Sequence, residues 1–487
     1  MCTKTKILTI FTFLTLGLFL FSATVTPALA LTISEERELG DEFVKHARQA
    51  YDFVEDPFVN YYINRLGRKL VAAFPEQPFD FHFYVIKNPV YNAFAAPAGH
   101  VFIHSGLISA MDSEDELAGI LAHEIAHVYC RHISEKIDKS KKLSLATLAG
   151  ITAGIFLGSG ALAIGSAAAG EAASLAYSRQ DERQADQIGV QYLAAANYSA
   201  EGLLTMLKKI KEKHWFSELD IPTYLTTHPG TDERIIYIDS LLASDRYRPV
   251  KPQPTENDDD FKLARTIIVA TCDDADLVLN QMAALVDRDE NNALAQLGYA
   301  LALSRKARQE EAVAHLQAAL AQNVFVPQVL TALGIIRVLM GDYEKALATF
   351  ESVPKTPYWD YEMQFFKAQA AEKCGQPDKS IALLEDLIKR KPVYNEAVYA
   401  LGMTYGRNDH PEQAHYYLGL YYHNIKDPKN ALFHLKKAYE LTSDPEKRKE
   451  IEDLMKDTKE DRRPPQTELV PGFIDMTFPH SARPTLF

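Results

Sequence analysis

Cysteine is scarce in this chain, with four residues in 487. A fold held together by a disulfide framework is therefore excluded. An excess of basic charge is missing too. Lys and Arg number 52 against 65 Asp and Glu, a net charge of −13, and no long basic run occurs. That balance argues against a nucleic-acid partner. The composition of a disordered chain is also absent. With 47% hydrophobic and 24% charged residues, there is ample apolar material for packed cores. At roughly 100–200 residues per domain, the length predicts two or three domains.

The first thirty residues read as a targeting segment. Lys4 and Lys6 precede an apolar stretch from Ile7 to Phe21, and Ala28-Leu29-Ala30 is a small-x-small cleavage signature. This predicts a signal peptide over residues 1–30, with a retained N-terminal anchor as the alternative. Cys2 precedes the apolar stretch, so it is no lipid-attachment site. Cys130, Cys272 and Cys374 then remain, an odd number that leaves at least one free thiol.

The body of the chain divides in two. Ile33 to Phe74 has a helical, amphipathic pattern, opened by Ser34 and the acids Glu35, Glu36 and Glu38. Phe79 to Ile86 is aromatic and β-branched and predicts a strand. Asn92 to Ile103 predicts two short strands around Pro97-Ala98-Gly99. A long helix is expected from Ser113 to about Lys136. Residues 143–170 carry no charge and repeat Gly150, Gly154 and Gly158, a close-packing pattern. They are expected to form a lid or a membrane-facing hairpin. Residues 246–260 crowd proline and acid together and predict a linker. Beyond it, Leu297-Gly298, Leu333-Gly334 and Leu401-Gly402 recur. Gly341 and Gly375 are 34 residues apart, and Ala346, Ser380 and Ala414 keep that step. A period of 34 predicts tetratricopeptide helix pairs, four to five of them, over residues 261–457. Residues 458–487 read as an irregular, Pro-rich tail.

The chemistry centres on His123-Glu124-Ile125-Ala126-His127. Residues i and i+4 share one helix face, so both imidazoles can reach one metal ion, with Glu124 beside them to polarise a bound water. Leu117, Ile120, Leu121 and Ile125 give this helix an apolar face. A catalytic zinc needs a third protein ligand and one open position. Glu182, in Ser178-Arg179-Gln180-Asp181-Glu182-Arg183-Gln184-Ala185-Asp186, is the stronger candidate and Asp181 the rival. Asp186, at i+4 from Glu182, would accept the N–H of a ligand histidine. His100, His104 and His132 have no spacing that ties them to the metal and are read as structural.

HEIAH followed by SRQDERQAD resembles metallopeptidase family 48, the HtpX and CAAX-prenyl-protease type. Asn92-Ala93-Phe94 with Gly99 and Ser105-Gly106-Leu107 is similar to that family's NAF…G…GL segment. Thr227-His228-Pro229 with Arg234 is similar to its THPxxxxR element. The exported-protease-plus-repeat layout narrows the resemblance to the BepA-like, or YfgC-like, periplasmic subgroup. The resemblance implies an α+β zincin-type metalloprotease domain over residues 31–245, mostly helical with a small edge sheet, followed by an all-α tetratricopeptide solenoid. It implies one Zn2+ per chain held by His123, His127 and Glu182, with Glu124 as general base. His228 is implied as a further ligand that fills the open position, or as a catalytic residue. Asp186 and Arg234 would support the ligands, and Asn92 and Ala93 would lie on the strand that pairs with substrate. The expected substrates are unfolded or misassembled outer-membrane proteins, the expected partner is the β-barrel assembly machinery, and contact with a membrane surface is expected as well. Two alternatives stand beside this reading: a chaperone or adaptor with a silent site, and a membrane-embedded HtpX-like protease.

Overall fold

The computed structural model describes residues 31–139, 177–215, 223–244 and 258–460. The expected signal peptide, the Gly-rich segment 143–170, nearly all of the linker and the tail beyond residue 460 lie outside the described residues. The chain divides into two compact units, Met1–Val54 with Ile63–Asp258 and Glu55–Tyr62 with Asp259–Phe487.

In order, the first half of the chain forms α1 (Ile33–Ala50), α2 (Pro57–Val71), β1 (His82–Ile86), β2 (Ala93–Ala96), β3 (His100–His104), α3 (Ser105–Ser109), α4 (Glu114–Tyr129), α5 (His132–Lys139), α6 (Arg179–Ala195), α7 (Glu201–Trp215), α8 (Thr223–Thr227) and α9 (Thr231–Leu242). The amphipathic stretch forms two helices, α1 and α2, and Pro57 opens the second, where its missing N–H has no helical bond to lose. The two expected strands around Pro97 are β2 and β3, joined by a tight turn in which Ala98 and Gly99 both take positive φ, 60° and 85°.

The sheet has the order β1-β3-β2, with β1 parallel and β2 antiparallel to the central strand. Its two edges differ. Along β1, alternate residues turn their backbone outward, and the Phe83 N–H and carbonyl, the Val85 carbonyl and the Lys87 N–H just past its end have fixed partners. The Asn64 amide bonds both the N–H and the carbonyl of Phe83. Val54 N–H donates to Val85 O, and Lys87 N–H to Asp52 O. Phe43, Phe94 and Phe102 stack on one face of the sheet within an apolar core.

The expected long helix is interrupted. α4 ends at Tyr129, Arg131 takes φ 54°, and α5 restarts at His132. Gly119 lets α4 meet α7. A Cβ there would lie 2.6 Å from Leu203 N, which no neighbour can yield to.

Among the described residues, twelve helices follow the first half, from Asp258–Cys272 to Pro445–Glu460. They form six successive pairs rather than the four to five expected. The first helix has no Leu-Gly marker, so its periodicity was not readable. The marker has a physical basis where it occurs. A Cβ on Gly334 would fall 2.3 Å from the Phe350 ring, and one on Gly298 would fall 2.9 Å from Met282 Sδ. Ala346, Ser380 and Ala414 are buried where paired helices close. Cys130, Cys272 and Cys374 are all free thiols.

Candidate metal centre

Two helix starts place the site. α4 begins at Ser113, whose hydroxyl accepts from Glu116 N–H, with Glu114, Asp115 and Glu116 in the first turn to complement the helix dipole. Ten residues further, His123, Glu124 and His127 are fully buried. α6 begins at Ser178, which exchanges hydrogen bonds with Asp181. Asp181 also pairs with Lys136 at 3.1 Å. It is thus spent on the cap, and Glu182, one residue on, turns inward. The rival ligand is set aside by that geometry.

The structure brings His123, His127, Glu182 and His228 together, with one donor atom from each within 4.8 Å of all the others. The Nε2 atoms of His123 and His127 are 3.0 Å apart. Glu182 lies 3.4 Å from each of them, and His228 Nδ1 lies 3.0 Å from Glu182 Oε1. A four-coordinate ion with bonds of about 2.0–2.1 Å needs donors about 3.3–3.4 Å apart. Three imidazoles and one carboxylate at this spacing fit a zinc-type ion. Both carboxylate oxygens of Glu124 are buried without a hydrogen-bond partner among the described residues, and His228 Nε2 is 3.7 Å away. Unsatisfied oxygens of this kind need a polar guest.

The outer nitrogens of the imidazoles are held. His123 Nδ1 lies 3.0 Å from Asp186 Oδ1. His127 Nδ1 lies 2.9 Å from His132 Nδ1, and His132 Nε2 lies 3.2 Å from Gln184 Oε1. His228 Nε2 reaches Ala93 O at 3.2 Å. Holding the far nitrogen fixes which one faces the metal. Arg234 forks onto both Asp186 oxygens at 2.8 and 2.9 Å and pairs with Glu182 at 2.7 Å. It is 4% exposed, and its charge offsets the buried carboxylates.

These contacts set the protonation. Burial pushes the Glu124 carboxyl up, against the pull of His228 and His123. Burial would also raise Glu182, yet His228, Arg234, His123 and His127 hold it well below the usual range. Asp186 is lowered in the same way, chiefly by Arg234. Burial drives His127 down. Burial and Arg234 oppose the charged form of His123, but Asp186 and Glu182 outweigh them and raise it to about 9.

Residues 57–242 match Peptidase family M48, and residues 412–445 match a tetratricopeptide repeat. The chain carries an M48 peptidase domain joined to tetratricopeptide repeats. The beta-barrel assembly-enhancing protease of Yersinia pestis is 31% identical over 305 residues, 60% of this chain and 61% of that protein. The protein of the same name in Escherichia coli K12 is 32% identical over 246 residues, 48% of each chain. The mitochondrial metalloendopeptidase OMA1 of Schizosaccharomyces pombe is 28% identical over 189 residues, 37% of this chain and 52% of that one. The chain spans about half the length of the curated relatives it matches.

Within the M48 domain, Asn92 and Ala93 stand at the start of β2, and both are buried. Arg234 lies against Glu182 and Asp186. His100 and His104 lie outside the donor cluster, and His100 stacks on His82 and bonds Tyr84. Sequence reasoning missed three residues. His132 reaches the site only because the chain reverses at Arg131. Tyr177 stacks on His127 with centroids 3.7 Å apart, and Tyr224 stacks on His228 at 4.3 Å. No spacing rule points to either tyrosine. No helix among the described residues is long and apolar enough to cross a membrane.

Proposed function

We propose that the chain is a periplasmic zinc endopeptidase that cleaves unfolded or stalled outer-membrane proteins during their assembly. The observation that carries this reading is the buried His123, His127, Glu182 and His228 cluster, closed around an unsatisfied Glu124 in an M48 domain. When bound, zinc supplies a water of lowered pKa and a positive charge for the carbonyl oxygen. Glu124 takes the proton of the attacking water and delivers it to the leaving amine. Burial pushes its carboxyl above the ordinary carboxylate range. Asp186 and His132 hold the two ligand imidazoles in orientation, and Arg234 keeps the carboxylates ionised.

His228 makes the resting state latent. Its imidazole fills the fourth donor position, where water or substrate would otherwise bind. The signal-peptide reading and the beta-barrel assembly-enhancing relatives support the periplasm. The repeat unit recruits the β-barrel assembly machinery or the substrate, and a membrane surface lies close by. The second reading, a chaperone or adaptor with a silent site, draws on the same His228 geometry.

The test is cleavage of casein by the zinc-loaded chain beside His228→Ala and Glu124→Gln. Low wild-type activity that rises in His228→Ala supports a latent protease. Equal loss in His228→Ala and Glu124→Gln makes His228 catalytic instead. If all three are inert with zinc bound, the chaperone reading takes precedence.

A further inference from the structure

β2 is the edge to which an extended polypeptide would add, and its acceptors are already taken by the chain itself. His104 N–H donates to Asn92 O at 2.9 Å, so Asn92, Phe94 and Ala96 turn their backbone groups toward β3. Strand alternation turns those of Tyr91, Ala93 and Ala95 to the opposite side. All three of these carbonyls have an internal partner. Tyr224 N–H donates to Tyr91 O at 3.3 Å. His228 Nε2 lies 3.2 Å from Ala93 O. The Tyr177 hydroxyl donates to Ala95 O at 3.3 Å. The occupants are tied to one another, since Tyr177 N–H donates to Thr227 O at 3.3 Å. Tyr177 is 2% exposed and Ala93 and Ala95 are fully buried.

A strand joining an antiparallel edge places its own N–H groups on those outward carbonyls. The substrate amide and the Tyr177 hydroxyl therefore compete for one acceptor. We propose that Tyr177 is a positioning residue that sets substrate register. Its hydroxyl holds the Ala95 carbonyl until an extended substrate N–H replaces it, and substrate adds to β2 only when Tyr177 and the Thr223–His228 segment leave the strand together. This rests on the peptidase reading and deepens it. The latch differs from His228 in kind, because the Tyr177 bond goes to backbone and needs no metal. It also defines the substrate class: an unpaired, extended stretch with a free N–H opposite Ala95. A proline at that position has no N–H and cannot displace the hydroxyl.

Tyr177→Phe keeps the ring on His127 and removes only the hydroxyl. In the full zinc-loaded chain carrying Glu124→Gln, binding of fluorescently labelled β-casein is read by anisotropy. The expected result is a dissociation constant about fivefold lower than in Glu124→Gln alone, the scale of one neutral hydrogen bond. With Glu124 intact, KM should fall by a similar factor while kcat stays level. A fall in kcat with unchanged binding would overturn the proposal, because the hydroxyl would then serve the reacting carbonyl. Unchanged binding and unchanged KM would overturn it as well. Failure of the peptidase reading is separately visible: neither the wild-type chain nor His228→Ala would then cleave casein with zinc bound, whatever Tyr177→Phe does to binding.

Discussion

At the scale of single residues, the site is a set of held imidazoles. Asp186 could be read from the sequence, because i and i+4 share a helix face with Glu182. His132 could not, because its approach to His127 depends on the positive φ of Arg131. Both should matter equally. Asp186→Asn and His132→Phe are each expected to weaken zinc binding by about 10–100-fold, measured by competition with a chromophoric chelator. A second residue-scale expectation lies in the repeat unit. Burial, with Asp56 and Asp360 nearby, raises Glu362 to about 8 against the pull of Lys391. Its folded pKa stands above the unfolded value, so the folded state holds a proton that the unfolded state has lost between about pH 4.5 and 8. Stability therefore falls as pH rises through that window. Glu362→Gln should stabilise the repeats at pH 8 by about 1 kcal/mol after discounting for its partial exposure, and by less at pH 5. Thermal melts at the two pH values read this directly, and an equal shift at both would contradict it.

At the scale of elements, glycine placement decides how closely helices approach. Gly119 sits on the metal-ligand helix where it meets Leu203 of α7, and an added methyl has nowhere to go. Gly119→Ala is expected to cost about 1–3 kcal/mol and to weaken zinc binding, since His123 lies one turn further along the same helix. Calorimetry and the chelator competition should move together; a loss of stability with unchanged zinc affinity would count against the coupling. The strands, the ligand helices and the 34-residue step were legible because each rests on local periodicity or a cap. The break at Arg131 was not. Apolar spacing continues from Ile125 and Val128 into Ile133 and Ile137, so the pattern reads as one helix although the backbone reverses. The opening repeat pair was illegible for the opposite reason: it packs without a glycine marker.

At the scale of the whole molecule, two units with separate cores should melt in separate steps, and among the described residues the clustered metal donors lie in one of them. If the site holds zinc as proposed, the ion stabilises the folded unit that carries the donors, so removing it should lower the transition of that unit alone. A melt with and without EDTA checks this, and a shift in the repeat transition of similar size would contradict it. The sheet carries a further consequence. Asn64, Val54 and Asp52 bond outward groups at Phe83, Val85 and Lys87, so along β1 another chain would have to displace them before pairing. Under the proposed function the protein would meet unpaired strands and so risk becoming a nucleus for their aggregation. Blocking β1 with side-chain and loop contacts would lower that hazard on one flank, and on the proposed reading leaves β2, once its own occupants withdraw, to take up a substrate strand.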